Sequence, residues 1–301
     1  MQPTTRFKPK GIIPAVITPL NGDGKFNELA FRKLLNYLID NGVHGLFVVG
    51  TTGEFYGLTP EEKREIYTVA VEETGGRVPV YAGTNGITTR ETVLLTQIAE
   101  ECRADAVSVL TPMFLSPNQN ELTDHYTTVA KNTSLPVILY NNPPKTGVSL
   151  SPATVAKLAE INNIAGIKDS SGDMTVGAEF IRLTRHLDDF SVLMGRDTLI
   201  YGGLCYGAAG SIAACANVAP GLCADIYEKF IAGDLKGSLE DQFRLAPLRL
   251  AFTLGTFPAV IKESLTLLGI DAGPCMPPAG PMTIDERSRL RKVLTEMGLI
   301  D

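Results

Sequence analysis

The sequence predicts an α/β protein, a (β/α)8 TIM barrel followed by a C-terminal helical extension. Short apolar segments recur eight times, each is separated from the next by a helix-length interval, and several intervals open on helix-start signals. Apolar strands alternating with helices imply a parallel sheet covered by those helices. Eight such units favour closure into a barrel over an open, doubly wound sheet.

The strands fall at residues 11–18, 45–49, 78–83, 106–110, 137–141, 164–168, 190–194 and 210–213. Each is short and apolar, as suits a buried strand. In the first helical interval Phe31, Leu34, Leu35, Leu38 and Ile39 recur at helical spacing, and Gly42 follows as the stop. Thr59-Pro60-Glu61-Glu62 combines an N-cap, a proline at the first helical position and a glutamate three residues after the cap. Thr88 with Glu91 and Asn118 with Glu121 repeat the cap-and-glutamate spacing, and Ser151-Pro152 opens another helix. Residues 198–224 carry no charge, a run long enough to cross a bilayer. Gly202, Gly203, Gly207, Gly210, Asn217, Pro220 and Gly221 break that run, and Asp197 and Asp225 bound it without basic anchors. A buried helix, strand and turn is expected there, with no membrane span.

Beyond Gly233 the rhythm changes. Residues 235–249, 257–268 and 283–297 read as helices, the last opened by a capping box of Thr283 and Glu286. The barrel is therefore expected over residues 1–233 and the extension over 234–301. The extension has no chemical motif of its own, so packing or subunit contact is its expected role.

Bulk properties narrow the function. At 301 residues, 44% apolar and 20% charged, the chain can bury a large core. A formal charge of −6 with no long basic run gives no reason to expect nucleic acid or an anionic membrane as partner. Five cysteines, Cys102, Cys205, Cys215, Cys223 and Cys275, have no CxxC spacing and read as reduced, buried thiols of a cytoplasmic protein. His44, His125 and His186 are too scattered to suggest a metal centre, and residues 1–10 read as a short arm.

Catalytic residues of such barrels sit where strands end and loops begin. The sixth strand ends Gly166-Ile167-Lys168-Asp169. A lysine amine set among apolar walls is more readily neutral, and the neutral amine attacks carbonyl carbon. Lys168 is thus a Schiff-base candidate; the plainer reading is a solvated lysine paired with Asp169 or Asp173. The fifth strand ends Tyr140-Asn141-Asn142-Pro143, where a phenol beside a cation could shuttle a proton or simply pack under the loop. Gly50-Thr51-Thr52-Gly53-Glu54 follows the second strand, and its hydroxyls and glycine-flanked amides suit a carboxylate or phosphate oxygen. Met194-Gly195-Arg196-Asp197 ends the seventh strand, able to address a substrate or to form a salt-bridged turn.

Together and in this order, the Gly-Thr-Thr-Gly-Glu turn, Tyr140-Asn141-Asn142-Pro143 and Gly166-Ile167-Lys168-Asp169 resemble the dihydrodipicolinate synthase / N-acetylneuraminate lyase family. The similarity covers nearly the whole chain. It implies a class I, Schiff-base mechanism without metal or other cofactor, on pyruvate or another 2-keto acid, usually in a homotetramer. By position, Lys168 matches the imine-forming lysine and Tyr140 the proton-moving tyrosine. Thr51 and Thr52 match the pair holding the keto-acid carboxylate, with Gly53 completing the turn; Gly195 and Ile212 match pocket-lining positions.

Departures from the family discriminate among its members. Phe114 stands where the biosynthetic synthases have a relay tyrosine that acts across a subunit interface, and Lys145 where they carry an arginine for the aldehyde's carboxylate. A lysine cannot reproduce a bidentate fork. Sialic acid lyases have two adjacent acidic residues in the seventh-strand loop, whereas Asp197 is followed by Thr198, and Ala214 replaces a lyase serine. Phe55 after the Gly-Thr-Thr-Gly-Glu turn is closer to the branch handling 2-keto-3-deoxy sugar acids. The expected activity is therefore cleavage or dehydration of such a sugar acid. Condensation of pyruvate with aspartate semialdehyde, as in 4-hydroxy-tetrahydrodipicolinate synthase, is the alternative. A keto-acid sensor without turnover is a reading of another class, motivated by Phe114. A metal-dependent aldolase fits less well, because the strand ends offer Lys and Tyr in place of His and carboxylate clusters.

Overall fold

The computed structural model describes residues 7–301, so most of the N-terminal arm lies outside the described residues. Eight strands form one sheet in the order β1-β8-β7-β6-β5-β4-β3-β2. They are β1 (Gly11–Pro14), β2 (Leu46–Val48), β3 (Val80–Gly83), β4 (Ala106–Leu110), β5 (Val137–Asn141), β6 (Ile164–Asp169), β7 (Ser191–Met194) and β8 (Gly210–Ala213). All ladder pairs are parallel. The Val16 amide donates to the Phe47 carbonyl at 2.8 Å, and Ala15 bridges Phe47, which brings β1 against β2 and nearly closes the expected TIM barrel.

Four strands are shorter than the sequence suggests: β7 begins one residue late, at Ser191, and the other three are cut short for local reasons. β1 stops at Pro14, which has no amide to donate. β2 stops before Val49, whose φ of +56° turns the chain out of the extended region. β3 starts after Pro79. β6 instead gains a residue, because the Asn141–Asp169 pair extends its ladder with β5.

The barrel helices are α1 (Glu28–Asp40), α2 (Pro60–Thr74), α3 (Thr89–Glu101), α4 (Gln119–Lys131), α5 (Pro143–Thr146), α6 (Pro152–Ala159), α7 (Met174–Thr184), α8 (Ile200–Tyr206) and α9 (Pro220–Ile231). On α1 the apolar stripe buries Phe31, Leu34, Leu35 and Leu38, each contributing roughly 1.5–3 kcal/mol. Thr59 and Asn118 form reciprocal capping boxes with Glu62 and Glu121. Thr88 caps α3 on the Glu91 amide, but the Glu91 carboxylate takes the Ile87 amide instead of the cap's own. The charge-free run becomes α8, β8, a short 3-10 turn (Cys215–Asn217) and the start of α9. No helix among the described residues is long and apolar enough to cross a membrane.

The extension consists of α10 (Leu235–Ala251), α11 (Ala259–Leu267) and α12 (Ile284–Glu296). It packs on the barrel through α10 and α9, where Ser238 donates to the Ile226 carbonyl and Asp241 pairs with Lys229. The expected helix at 257–268 begins two residues late, with Pro258 at its N-cap. All five cysteines are free, but only Cys215 and Cys223 are buried. Cys205 is exposed on the outer face of α8 beside the exposed Tyr206, which corrects the expectation of five buried thiols.

Candidate active site

Parallel pairing places Tyr140 of β5 directly beside Lys168 of β6. Alternation along a strand sends neighbouring side chains to opposite faces, so Lys168 enters the barrel and Asp169 turns away from it. Asp169 accepts from Asn141 at 2.8 Å and from the Ser171 hydroxyl at 2.8 Å, while Asp173 caps α7. Burial raises the Asp169 carboxyl above its ordinary value, against those hydrogen bonds. Neither acid serves Lys168. Its side chain is buried, with Nζ 4.2 Å from the Tyr140 ring centroid and 4.8 Å from that of Phe47. The solvated, ion-paired alternative is therefore not what the chain adopts.

The Tyr140 hydroxyl lies 3.2 Å from Thr51 Oγ1 and accepts from Asn142 Nδ2 at 3.1 Å. Burial alone would push this phenol up. The Lys168 ammonium beside it, with hydrogen bonds from Thr51, Ser170 and Lys168, brings it below the ordinary tyrosine value instead.

Thr51 and Thr52 sit in a turn bracketed by two left-handed residues that are not glycine, Val49 and Glu54, both at φ +56°. Such backbone costs on the order of 1–3 kcal/mol per residue and persists only where the surroundings enforce it. Val49's carbonyl receives Asn85 Nδ2 at 3.3 Å, and the Gly53 carbonyl receives Thr18 Oγ1 at 2.8 Å. At Gly50 a Cβ would fall 2.5 Å from the Phe47 ring, so glycine lets that ring lie beneath the turn.

A cavity of about 280 Å³ opens above Lys168 and brings all the expected residues but Gly53 onto its wall: Thr51, Thr52, Tyr140, Lys145, Gly195, Asp197 and Ile212. Gly53 lies buried behind the wall. At Gly195 a Cβ would meet Ser170 Oγ at 2.0 Å. Asp197 is 2% exposed: Oδ1 accepts the Cys215 amide at 2.8 Å and Oδ2 pairs with Arg249 at 3.3 Å. Both oxygens are engaged, but the ion pair runs to Arg249 of α10 and not within the turn, where Arg196 Nε donates to the Ser170 carbonyl at 3.2 Å.

Several wall residues were not expected. Arg249, Phe252, Thr253 and Phe257 come from the extension, which thus shapes the site instead of only packing on it. Ser170, Asn142 and Arg196 also line the cavity. Asn142 lies within the fifth-strand motif and Ser170 directly follows Asp169, a proximity signal that could have singled them out, while Arg196 belongs to the seventh-strand turn already read as able to address a substrate.

A profile of the dihydrodipicolinate synthetase family matches residues 8–297. The chain belongs to the dihydrodipicolinate synthetase family. Relatives named 4-hydroxy-tetrahydrodipicolinate synthase include those of Methanoculleus marisnigri, 40% identical over 96% of this chain and 99% of its own, and Methanothrix thermoacetophila, 38% identical over 96% and 97%. A DapA-like lyase of Halobacterium salinarum is 37% identical over 96% and 94%. Among solved structures, dihydrodipicolinate synthase of Thermotoga maritima superposes with a TM-score of 0.94 at 32% identity, covering 97% of this chain and 99% of that one. YagE, a prophage protein of E. coli K12 solved with pyruvate, also reaches 0.94, at 34% identity over 96% and 99%. Members of this family are class I aldolase-type lyases, and the chain is an enzyme of that kind.

Proposed function

We propose that Lys168 forms a Schiff base with pyruvate or another 2-keto acid, and that Tyr140 moves the protons of the reaction. The observation that carries this reading is the contact between a buried lysine amine and a phenol whose hydroxyl also reaches Thr51. The neutral amine attacks the keto carbon, and loss of water from the carbinolamine leaves a protonated imine. That cation withdraws electrons from the adjacent carbon, so loss of a proton there, or cleavage of the next carbon–carbon bond, gives an enamine. The Thr51 and Thr52 turn is suited to the substrate carboxylate, with Gly195 and Ile212 flanking it.

The second reactant meets Lys145, Arg196 and Arg249, of which only Arg249 has its carboxylate partner in the wall, Asp197. This excess positive charge favours an aldehyde that carries an acid group over a neutral polyhydroxylated tail. It agrees with the synthase name of the relatives above, so condensation of pyruvate with an acid-bearing aldehyde such as aspartate semialdehyde moves ahead of the sugar-acid reaction. The sugar-acid reading keeps two specific supports: Phe114 is 94% exposed and offers no phenol, and Lys145 offers no guanidinium fork. The exposed Phe114 and Leu115 beside the β4 loop suit contact with another copy of the chain, consistent with a homotetramer, and the free thiols suit a cytoplasmic protein.

Intact mass after incubation with pyruvate and borohydride tests the first half, with Lys168→Ala in parallel. A reduced pyruvyl adduct confined to wild type supports the imine; a rise in melting temperature with no adduct would replace it with keto-acid binding alone. Turnover with aspartate semialdehyde against 2-keto-3-deoxy sugar acids then separates the two second reactants.

A further inference from the structure

Glu54 is the last residue of the Gly-Thr-Thr-Gly-Glu turn, and its side chain has no exposure to solvent. One carboxylate oxygen pairs with Lys262 Nζ of α11 at 2.6 Å, and the other accepts the Met276 amide at 2.6 Å. Lys262 is itself 2% exposed and donates onward to the Pro274 carbonyl at 2.6 Å. Met276 Sδ lies against Gly57, where an added Cβ would fall 2.2 Å from it. The extension therefore grips the turn from behind, on the side opposite the cavity. A buried ion pair is a poor source of net stability, because removing both charges from water costs about as much as their attraction returns. A buried pair attached to a strained, left-handed backbone has a different use. It holds in place a conformation that the residue would not adopt alone.

We infer that Lys262 is a positioning residue: through Glu54 it fixes the Thr51 and Thr52 turn, and so sets the preference for carbonyl substrates that bear a carboxylate. Lys262 does not touch the reacting atoms. Its effect passes through the backbone of Glu54 and Gly53 to the hydroxyls and amides facing the cavity. This rests on the proposed carboxylate role of the turn. Lys168, on β6, belongs to a different part of the wall; the turn reaches the imine chemistry only through the Thr51–Tyr140 hydroxyl contact, which a ketone with or without a carboxylate would share.

The test compares two ketones that form the same imine bond. Pyruvate carries the carboxylate and acetone does not; borohydride reduces either imine, and intact mass gives the concentration for half-maximal labelling. The variants are Lys262→Arg, Lys262→Met and the double variant Glu54→Gln/Lys262→Met, which leaves no unpaired buried charge if the single change fails to fold. In the double variant the half-saturating pyruvate concentration should rise about tenfold, as expected for loss of one charge-assisted contact. Acetone labelling should stay within about twofold, and Lys262→Arg should restore much of the pyruvate preference. A general loss of structure would move both ketones together and lower the melting temperature, which overturns the inference. So does a folded double variant with an unchanged pyruvate-to-acetone ratio. Thr52→Ala, measured alongside, separates the two readings. If it leaves the ratio unchanged, the carboxylate role of the turn fails; if it lowers the ratio while the Lys262 variants do not, only the positioning role fails.

Discussion

Tyr140 and Lys168 are cross-strand partners in the β5–β6 ladder, and the lysine Nζ stands 4.2 Å from the centre of the tyrosine ring. Their proximity is built into the register. It does not depend on a loop closing over a ligand, so the pair is in place before a substrate arrives. That preorganisation is what an imine-forming site needs, because little reorganisation remains for the chemical step.

Lys168→Ala should abolish borohydride-dependent labelling by pyruvate, and Lys168→Arg should do the same, because a guanidinium stays protonated. Tyr140→Phe keeps the ring over Lys168 but loses the hydroxyl. Turnover should fall by about 10²–10⁴-fold, the usual weight of a positioned proton-transfer group, while labelling is slowed and still reaches completion. Full-rate turnover in Tyr140→Phe would remove the phenol from the proton path.

The Tyr140 phenol should ionise below the ordinary tyrosine range, because the Lys168 charge and its hydrogen bonds outweigh burial. A cation favours the phenolate, so removing it must raise the value. Ultraviolet titration of wild type should show a low-titrating tyrosine that is missing in Tyr140→Phe and shifted upward in Lys168→Ala. A downward shift in Lys168→Ala would contradict the assigned cause.

Asp197→Ala would strip the Cys215 amide of its acceptor and Arg249 of its counter-charge. A loss of about 2–3 kcal/mol of stability is expected from the two effects together, after allowing for Arg249's partial exposure to solvent. Denaturant unfolding of Asp197→Ala against wild type measures it. A variant as stable as wild type would show that Asp197 is free to serve a substrate.

His125 on α4 is buried, with Nδ1 2.9 Å from the Thr89 hydroxyl, and burial lowers its pKa from 6.5 to about 4. Its folded value lies below the unfolded one, so the unfolded chain takes up a proton first as pH falls. The stability tied to a neutral His125 is therefore complete above pH 6.5 and lost between there and about pH 4, an amount of roughly 3 kcal/mol. His125→Phe should flatten that part of the stability–pH profile; an unchanged slope would place the acid sensitivity elsewhere.

What the sequence made legible follows strand chemistry. Lys168 and Tyr140 stand out because a polar or ionisable residue ends an otherwise apolar strand, and at such positions side chains reach the mouth of a barrel. Phe47 did not stand out, since an inward aromatic on β2 has the same local pattern as any core residue. Arg249, Phe252 and Lys262 were hidden for another reason. Arg249 and Lys262 lie on ordinary amphipathic helices and Phe252 follows the first of them as its C-cap, and only the packing of α10 and α11 on the barrel brings them to the site. The left-handed Val49 and Glu54 carry no glycine to announce them, so the strained turn was visible only as a Gly/Thr motif.

The Glu54–Met276 contact spans 222 residues of chain. During synthesis from the N-terminus, the turn after β2 emerges early, yet its anchors, Lys262 and Met276, emerge only after all eight strands of the barrel. A nascent chain can fold strands and helices in order and still lack the grip on that turn. Completion of the site is thus tied to emergence of the segment that carries Lys262 and Met276, and a chain cut short after the eighth strand would carry Lys168 and Tyr140 without the support that shapes the pocket around them.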